Sequence, residues 1–282
     1  MISQSNEETY VTEINPDMHK FPVVVSIPHS GLYIPAQMKK QLKTDIILTN
    51  SDWYLPDFYD FLEAMQFTVI ENHINRYVID VNREMVQEGD SYKTNLVYTH
   101  TTQGDVMYQK NPSASEISKR IENFYQPYHQ ALRRAVEEKR RYFDKIYVLD
   151  LHSFGLNYGA DIILGNDYGK TCSDTFLART ARELQNQGFL VKENEVYPGG
   201  YITKHYHSLY PGCETLQMEL WYGAYIKKRE YGKEILPKID TAFYQDAKKR
   251  MMNVFKSLAV GDGNCEYYDK LRIMEDDNYQ RI

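Results

Sequence analysis

The sequence predicts an α/β protein with a largely parallel sheet and helices on both faces. Two observations carry this. Short apolar runs rich in β-branched residues alternate with longer segments of helical period. No repeat, low-complexity tract or Pro/Gly/Ser linker divides the 282 residues, so 1–282 reads as one domain.

Val23 to Ile27 is the first apolar strand, and a helix is expected after Pro35. Asp52 is a good N-cap for a second helix carrying Trp53, Tyr54, Leu55, Phe58 and Leu62. Phe67 to Ile70 and Tyr77 to Val81 have strand character. Residues 84–112 are polar and weakly periodic, with Gly89, Gly104 and Pro112, so they read as a long irregular excursion of the kind that often serves function. A long helix is expected from Ser113 to about Tyr142, with Ile117, Ile121, Phe124, Tyr128, Leu132 and Val136 on one face and a kink or division at Pro127. Lys145 to Leu151 and Asp161 to Leu164 are further strands, and a helix from Ser173 to Gln187 should end at Gly188. Phe189 to Val191 and Thr215 to Leu220 complete the strands, with helices over 226–258 and a polar tail over 259–282.

Composition narrows the function. With 33 Lys plus Arg against 39 Asp plus Glu, the formal charge is −6, which disfavours a nucleic-acid partner. Cys172, Cys213 and Cys265 form no C-x-x-C pair, so neither a disulfide framework nor a thiolate zinc knuckle is suggested and a cytoplasmic location is expected. Nothing approaches the roughly 18 apolar residues of a membrane helix, and the first residues show no basic start followed by an apolar run, so neither membrane insertion nor secretion is expected. Tyrosine is unusually frequent, 25 against 11 Phe, and the plain reading is packing by rings whose hydroxyls reach a partner. The sequence sets no oligomeric state.

In an open α/β sheet the chemistry tends to lie at the carboxyl ends of strands. Four apolar runs end there in polar groups: Pro28-His29-Ser30-Gly31, Asp80-Val81-Asn82-Arg83, Asp150-Leu151-His152-Ser153 and Gln217-Met218-Glu219. Two histidines, a carboxylate and an open position suit catalytic Zn²⁺, and His29 and His152 fit that need. Taken singly, the plainer reading of either histidine is a buried imidazole hydrogen-bonded to a neighbour.

Those strings, with Ser51-Asp52-Trp53 and Gly199-Gly200-Tyr201-Ile202-Thr203-Lys204-His205-Tyr206, occur in an order that resembles the N-formylglutamate amidohydrolase family over about residues 21–225. The resemblance implies a zinc hydrolase distantly similar to the carboxypeptidase and aspartoacylase group, with a twisted mixed sheet of the zinc-exopeptidase, phosphorylase/hydrolase-like kind. It implies one Zn²⁺ per chain held by His29, Asp52 and His152, Glu219 as general base, and Asn82, Arg83 and His205 as substrate-binding residues. The implied reaction is hydrolysis of N-formyl-L-glutamate to formate and L-glutamate, a step of histidine degradation.

Other readings stand beside these. Asp52 is as well explained as a helix N-cap. Arg83 could form an ion pair with Asp80 or Glu84. Glu219 and Gln217 would face solvent if the strand alternated the other way. His73, His100 and His129 have no evident partner, His207 stands where the family pattern has glycine, and Cys172 reads as a small core residue. A second hypothesis keeps the metal but takes another N-acyl amino acid or a short peptide, and a third is a non-catalytic protein that binds an acidic metabolite.

Overall fold

The computed structural model describes residues 9–87, 92–226 and 236–259. Seven strands form one mixed sheet: β1 (Val11–Ile14), β2 (Val23–Ile27), β3 (Thr68–Asn72), β4 (Ile146–Phe154), β5 (Ile162–Gly165), β6 (Val191–Glu193) and β7 (Cys213–Trp221). Their order across the sheet is β1-β3-β2-β4-β7-β5-β6. The β1–β3 and β5–β7 pairs are antiparallel and the other four are parallel. The helices are α1 (Ala36–Gln41), α2 (Leu55–Phe58), α3 (Phe61–Ala64), α4 (Ala114–Arg120), α5 (Gln126–Lys139), α6 (Asp174–Asn186), α7 (Tyr201–Leu209) and α8 (Thr241–Ala259). Among the described residues no helix is long and apolar enough to cross a membrane.

The central strands are apolar on both faces because both are covered. Val25, Leu149, Leu151, Leu216 and Met218 pack into a core with residues of α6 and α8, whereas Val24 and Val148 pack with α5 on the other face. Period-2 alternation then puts Ser26, Asp150, His152, Gln217 and Glu219 on the α5 face, where each strand turns from apolar to polar toward its carboxyl end. The register sets Asp150 opposite Gln217 and His152 opposite Glu219.

Several expectations are corrected. Tyr77 to Val81 is not a strand. Asn75 folds the chain back, its carbonyl accepting from Val78 N–H at 2.8 Å and its side-chain oxygen from Tyr77 N–H at 2.9 Å. The run is apolar because it is buried as irregular chain, with Tyr77, Val78, Ile79 and Val81 fully covered. Asp52 caps no helix: α2 begins at Leu55 behind Tyr54, whose φ of 63° breaks the chain direction. The long helix is divided as Pro127 requires, α4 starting on a capping box between Ser113 and Glu116 and a π-helical turn, Ile121–Tyr125, joining it to α5. The segment after Gly199 and Gly200, for which the sequence reading gave no helix, forms α7. The strand expected at 189–191 lies at 191–193, and β1 has no counterpart in the sequence reading. In the C-terminal part the regular helix starts at Thr241 and includes Ala259. Residues 227–235 and 260–282, the latter nearly all of the expected tail, lie outside the described residues.

Candidate metal centre and cleft

His29 follows β2 directly, His152 lies within the carboxyl-terminal half of β4, and Asp52 is brought to both by its own backbone, whose N–H donates to His29 O at 3.1 Å. The Asp52 loop is pinned by buried tyrosines, Tyr222 bonding to Ser51 O and Tyr225 to Trp53 O at 2.8 Å. This is one use of the tyrosine-rich composition.

One donor atom from each of His29, Asp52 and His152 lies within 4.8 Å of the others, and all three residues are buried. Asp52 Oδ2 is 3.1 Å from His152 Nδ1 and 3.9 Å from His29 Nδ1. The far ring nitrogens are tied to carboxylates, His29 Nε2 to Asp80 Oδ1 at 2.6 Å and His152 Nε2 to Asp150 Oδ2 at 2.9 Å. Such a carboxylate behind each imidazole fixes the ring so that Nδ1 faces the carboxylate of Asp52. Two nitrogens and one oxygen on this spacing fit a four-coordinate zinc-type site with one position left for water or substrate. Burial, aided by the charge of Arg76, pushes the His29 imidazole down to about 4, so it stands neutral and able to ligate. For His152 burial acts the same way, but the Asp150 charge and hydrogen bonds to Asp150 and Asp52 outweigh it and raise the imidazole well above its ordinary value. His152 therefore carries a proton toward Asp52 that a cation would replace.

Glu219 is buried in the same cleft, its Oε1 accepting from Gln217 Nε2 at 2.9 Å, while Gln217 Oε1 accepts Gly200 N–H at 2.6 Å. The alternation thus points Glu219 and Gln217 into the cleft and not to solvent. Burial foremost, with the Asp52 charge added, pushes the Glu219 carboxyl up to about 7 against the opposing pull of His152 and Arg76.

Asp80 binds the centre to two arginines. Beyond His29 it accepts from Arg76 Nη2 at 3.1 Å and from the Tyr98 hydroxyl, and Arg83 Nη1 lies 3.7 Å away. Burial disfavours its charge, yet Arg83, His29 and Arg76 hold its carboxyl well below the ordinary range. The Nε atoms of both arginines are buried without a hydrogen-bond partner among the described residues. The ion pair considered for Arg83 is present, but its partner is buried, so it is no surface pair. Arg76 was missed in the sequence because the misread strand at 77–81 placed it at an amino end, away from where chemistry is sought.

The cleft holds about 350 Å³, with Arg76, Asn82 and Arg83 among its polar lining and Phe154, Leu156, Tyr158, Val196 and Tyr197 among its apolar lining. A larger groove of about 590 Å³ beside Phe21, Phe67 and Phe255 contains none of the sequence-predicted residues. Asn82 donates to Asp150 Oδ2 at 3.3 Å and accepts from Ile202 N–H, the first turn of α7, at 2.8 Å. Gly200 is needed there, since a Cβ would lie 2.5 Å from Asn82 Nδ2. His205 is not brought to the cleft. It lies a turn further along α7, half-buried and stacked on Tyr201 with centroids 4.8 Å apart. His207 Nδ1 sits 2.8 Å from Cys213 O, a structural contact, and Cys172 is buried with its thiol pushed up to about 12 by burial, as a core residue would be.

A family model described as N-formylglutamate amidohydrolase matches residues 21–226. N-formylglutamate deformylases of Pseudomonas putida and Pseudomonas aeruginosa are each 27% identical, over 75% and 74% of this chain and 84% of each relative. Among solved structures, N-formylglutamate amidohydrolase from Ralstonia eutropha JMP134 superposes with a TM-score of 0.70 at 22% identity, over 88% of this chain and 96% of that one. The gene product Atu2144 of Agrobacterium tumefaciens superposes at 0.68 and 18%, over 89% and 94%. At these identities the structural likeness establishes the fold.

Proposed function

The chain belongs to the N-formylglutamate amidohydrolase family, and from that premise we propose that it hydrolyses the amide of an N-acyl amino acid, with N-formyl-L-glutamate as substrate. The observation that carries the reading is the buried His29, Asp52, His152 donor set sharing a cleft with Glu219. The residues would hold one Zn²⁺ per chain, which when bound supplies Lewis acidity toward a water and an acyl carbonyl.

Glu219, buried in the cleft, takes a proton from the attacking water and gives it back to the departing amide nitrogen. Hydroxide adds to the formyl carbon, the C–N bond breaks, and formate and glutamate leave. Arg76, whose charge reaches His29, Asp52 and Glu219, offsets negative charge building on the acyl oxygen. Arg83 holds a substrate carboxylate, since a guanidinium binds one through two parallel bonds. Asn82 forms the wall beside it. His205 bears on substrate only through α7, whose leading glycines line the cleft.

A second reading, a larger N-acyl group or a short peptide, is favoured by the exposed Leu156 and Val196 at the cleft mouth. Formate release from N-formyl-L-glutamate, assayed before and after chelation and beside N-acetyl and N-succinyl glutamate, decides between them. Metal-loaded protein inert toward the formyl substrate would overturn the first reading.

A further inference from the structure

Asn82 and Arg83 sit on chain that neither sheet nor helix holds. Yet three successive carbonyls there are each bonded. His129 Nε2 lies 2.9 Å from Val81 O, Arg83 Nη1 donates to Asn82 O at 2.8 Å, and the Tyr125 hydroxyl donates to Arg83 O at 2.9 Å. Tyr125 and His129 are one helical turn apart with ring centroids 4.3 Å from each other, so they meet the segment as a unit.

Their aim comes from the π-helical turn that ends at Tyr125. Pro127 has no N–H to give, and the turn before it closes one residue wider, Gln126 N–H reaching Ile121 O. An extra residue in a turn rotates the side chains beyond it by about 100° relative to a continuous α-helix. That rotation sets both rings toward residues 81–83. His129 is buried, its ring pushed down to about 3 by burial, and it is tied to α7 as well, its Nδ1 lying 3.1 Å from the Tyr206 hydroxyl, which donates to His129 O at 3.2 Å.

We infer that Tyr125 and His129 are positioning residues that fix the backbone of Val81 and Arg83 and so present the Arg83 guanidinium to substrate. This rests on the reading of Arg83 as the carboxylate anchor. The test is Tyr125→Phe in the metal-loaded full chain, alone and combined with Arg83→Ala. One hydrogen bond lost to the segment should raise KM for N-formyl-L-glutamate about 3- to 10-fold with kcat and metal content unchanged. In the Arg83→Ala background the same change should add nothing. Calorimetric binding of glutarate, which needs no turnover, should weaken in parallel. An unchanged KM in Tyr125→Phe while Arg83→Ala raises it overturns this inference and spares the anchor. An Arg83→Ala variant with the parent's KM overturns both. An equal KM rise in both backgrounds, or kcat and metal content falling together with it, makes Tyr125 a residue of the fold alone and also overturns the inference.

Discussion

Glu219 stands directly opposite His152 in the register of two parallel strands, β7 and β4. On the proposed mechanism Glu219 is a base beside an imidazole that would hold the metal, and it is not itself a ligand, so chemistry and metal binding are separable. Glu219→Gln, nearly unchanged in volume, should keep the metal and lose roughly 10²- to 10⁴-fold in kcat, the usual range for a general base. Elemental analysis with steady-state kinetics checks both parts, and wild-type turnover would remove Glu219 from the mechanism.

The same carboxyl burdens the metal-free fold. Its ordinary value of 4.5 rises to about 7 on folding, so between those pH values the folded chain holds a proton that the unfolded chain has released. Stability from this group is therefore complete below about pH 4.5 and is lost as pH rises through 7. Metal-free Glu219→Gln should be more stable than its parent at pH 8 by about 1 to 3 kcal/mol, a gain that vanishes near pH 4. Urea titration at the two pH values measures it. Equal stability at both would show that the buried charge costs nothing.

Metal removal and ligand loss should agree. His29→Ala and His152→Ala should each abolish stoichiometric metal. Asp80→Asn keeps all three donors but loses the carboxylate behind His29, so affinity should fall about 10- to 100-fold without vanishing. Competition against a chromophoric chelator distinguishes these cases, and an Asp80→Asn variant of parental affinity would make Asp80 a partner of the arginines only.

How much of this was legible depended on what kind of partner each residue meets. His29, Asp150, His152 and Glu219 could be found because buried parallel strands write themselves as apolar runs, and polar groups at their ends stand out. Asp52 could not be decided, since an acidic residue before an apolar run is the mark of an N-cap as well as of a ligand, and only the left-handed turn at Tyr54 removes the cap reading. His129 showed no partner because its partner is the carbonyl of Val81, which every residue type carries alike. Tyr77 to Val81 misled for the reason that burial, not strand geometry, is what an apolar run records. α7 was hidden by Gly199 and Gly200, which precede a helix without ending one, Gly200 serving close packing against Asn82.

Recognition of the substrate gives the remaining prediction. Arg83 meets a buried carboxylate at 3.7 Å and bonds through one nitrogen to its own loop, while its Nε is buried without a partner among the described residues. A guanidinium so placed has hydrogen-bonding capacity that a substrate carboxylate would satisfy. If it does, Arg83→Ala should reduce kcat/KM for N-formyl-L-glutamate by about 2 to 5 kcal/mol, whereas loss of a solvated ion pair would cost under about 1 kcal/mol. Magnitude alone separates the two. Substrates in which the α- or the γ-carboxylate is replaced by an amide identify which carboxylate is held. Deleting the true partner should largely erase the further effect of the mutation, because an interaction already lost cannot be lost again. Losses that add fully with both amides would show that Arg83 touches neither carboxylate.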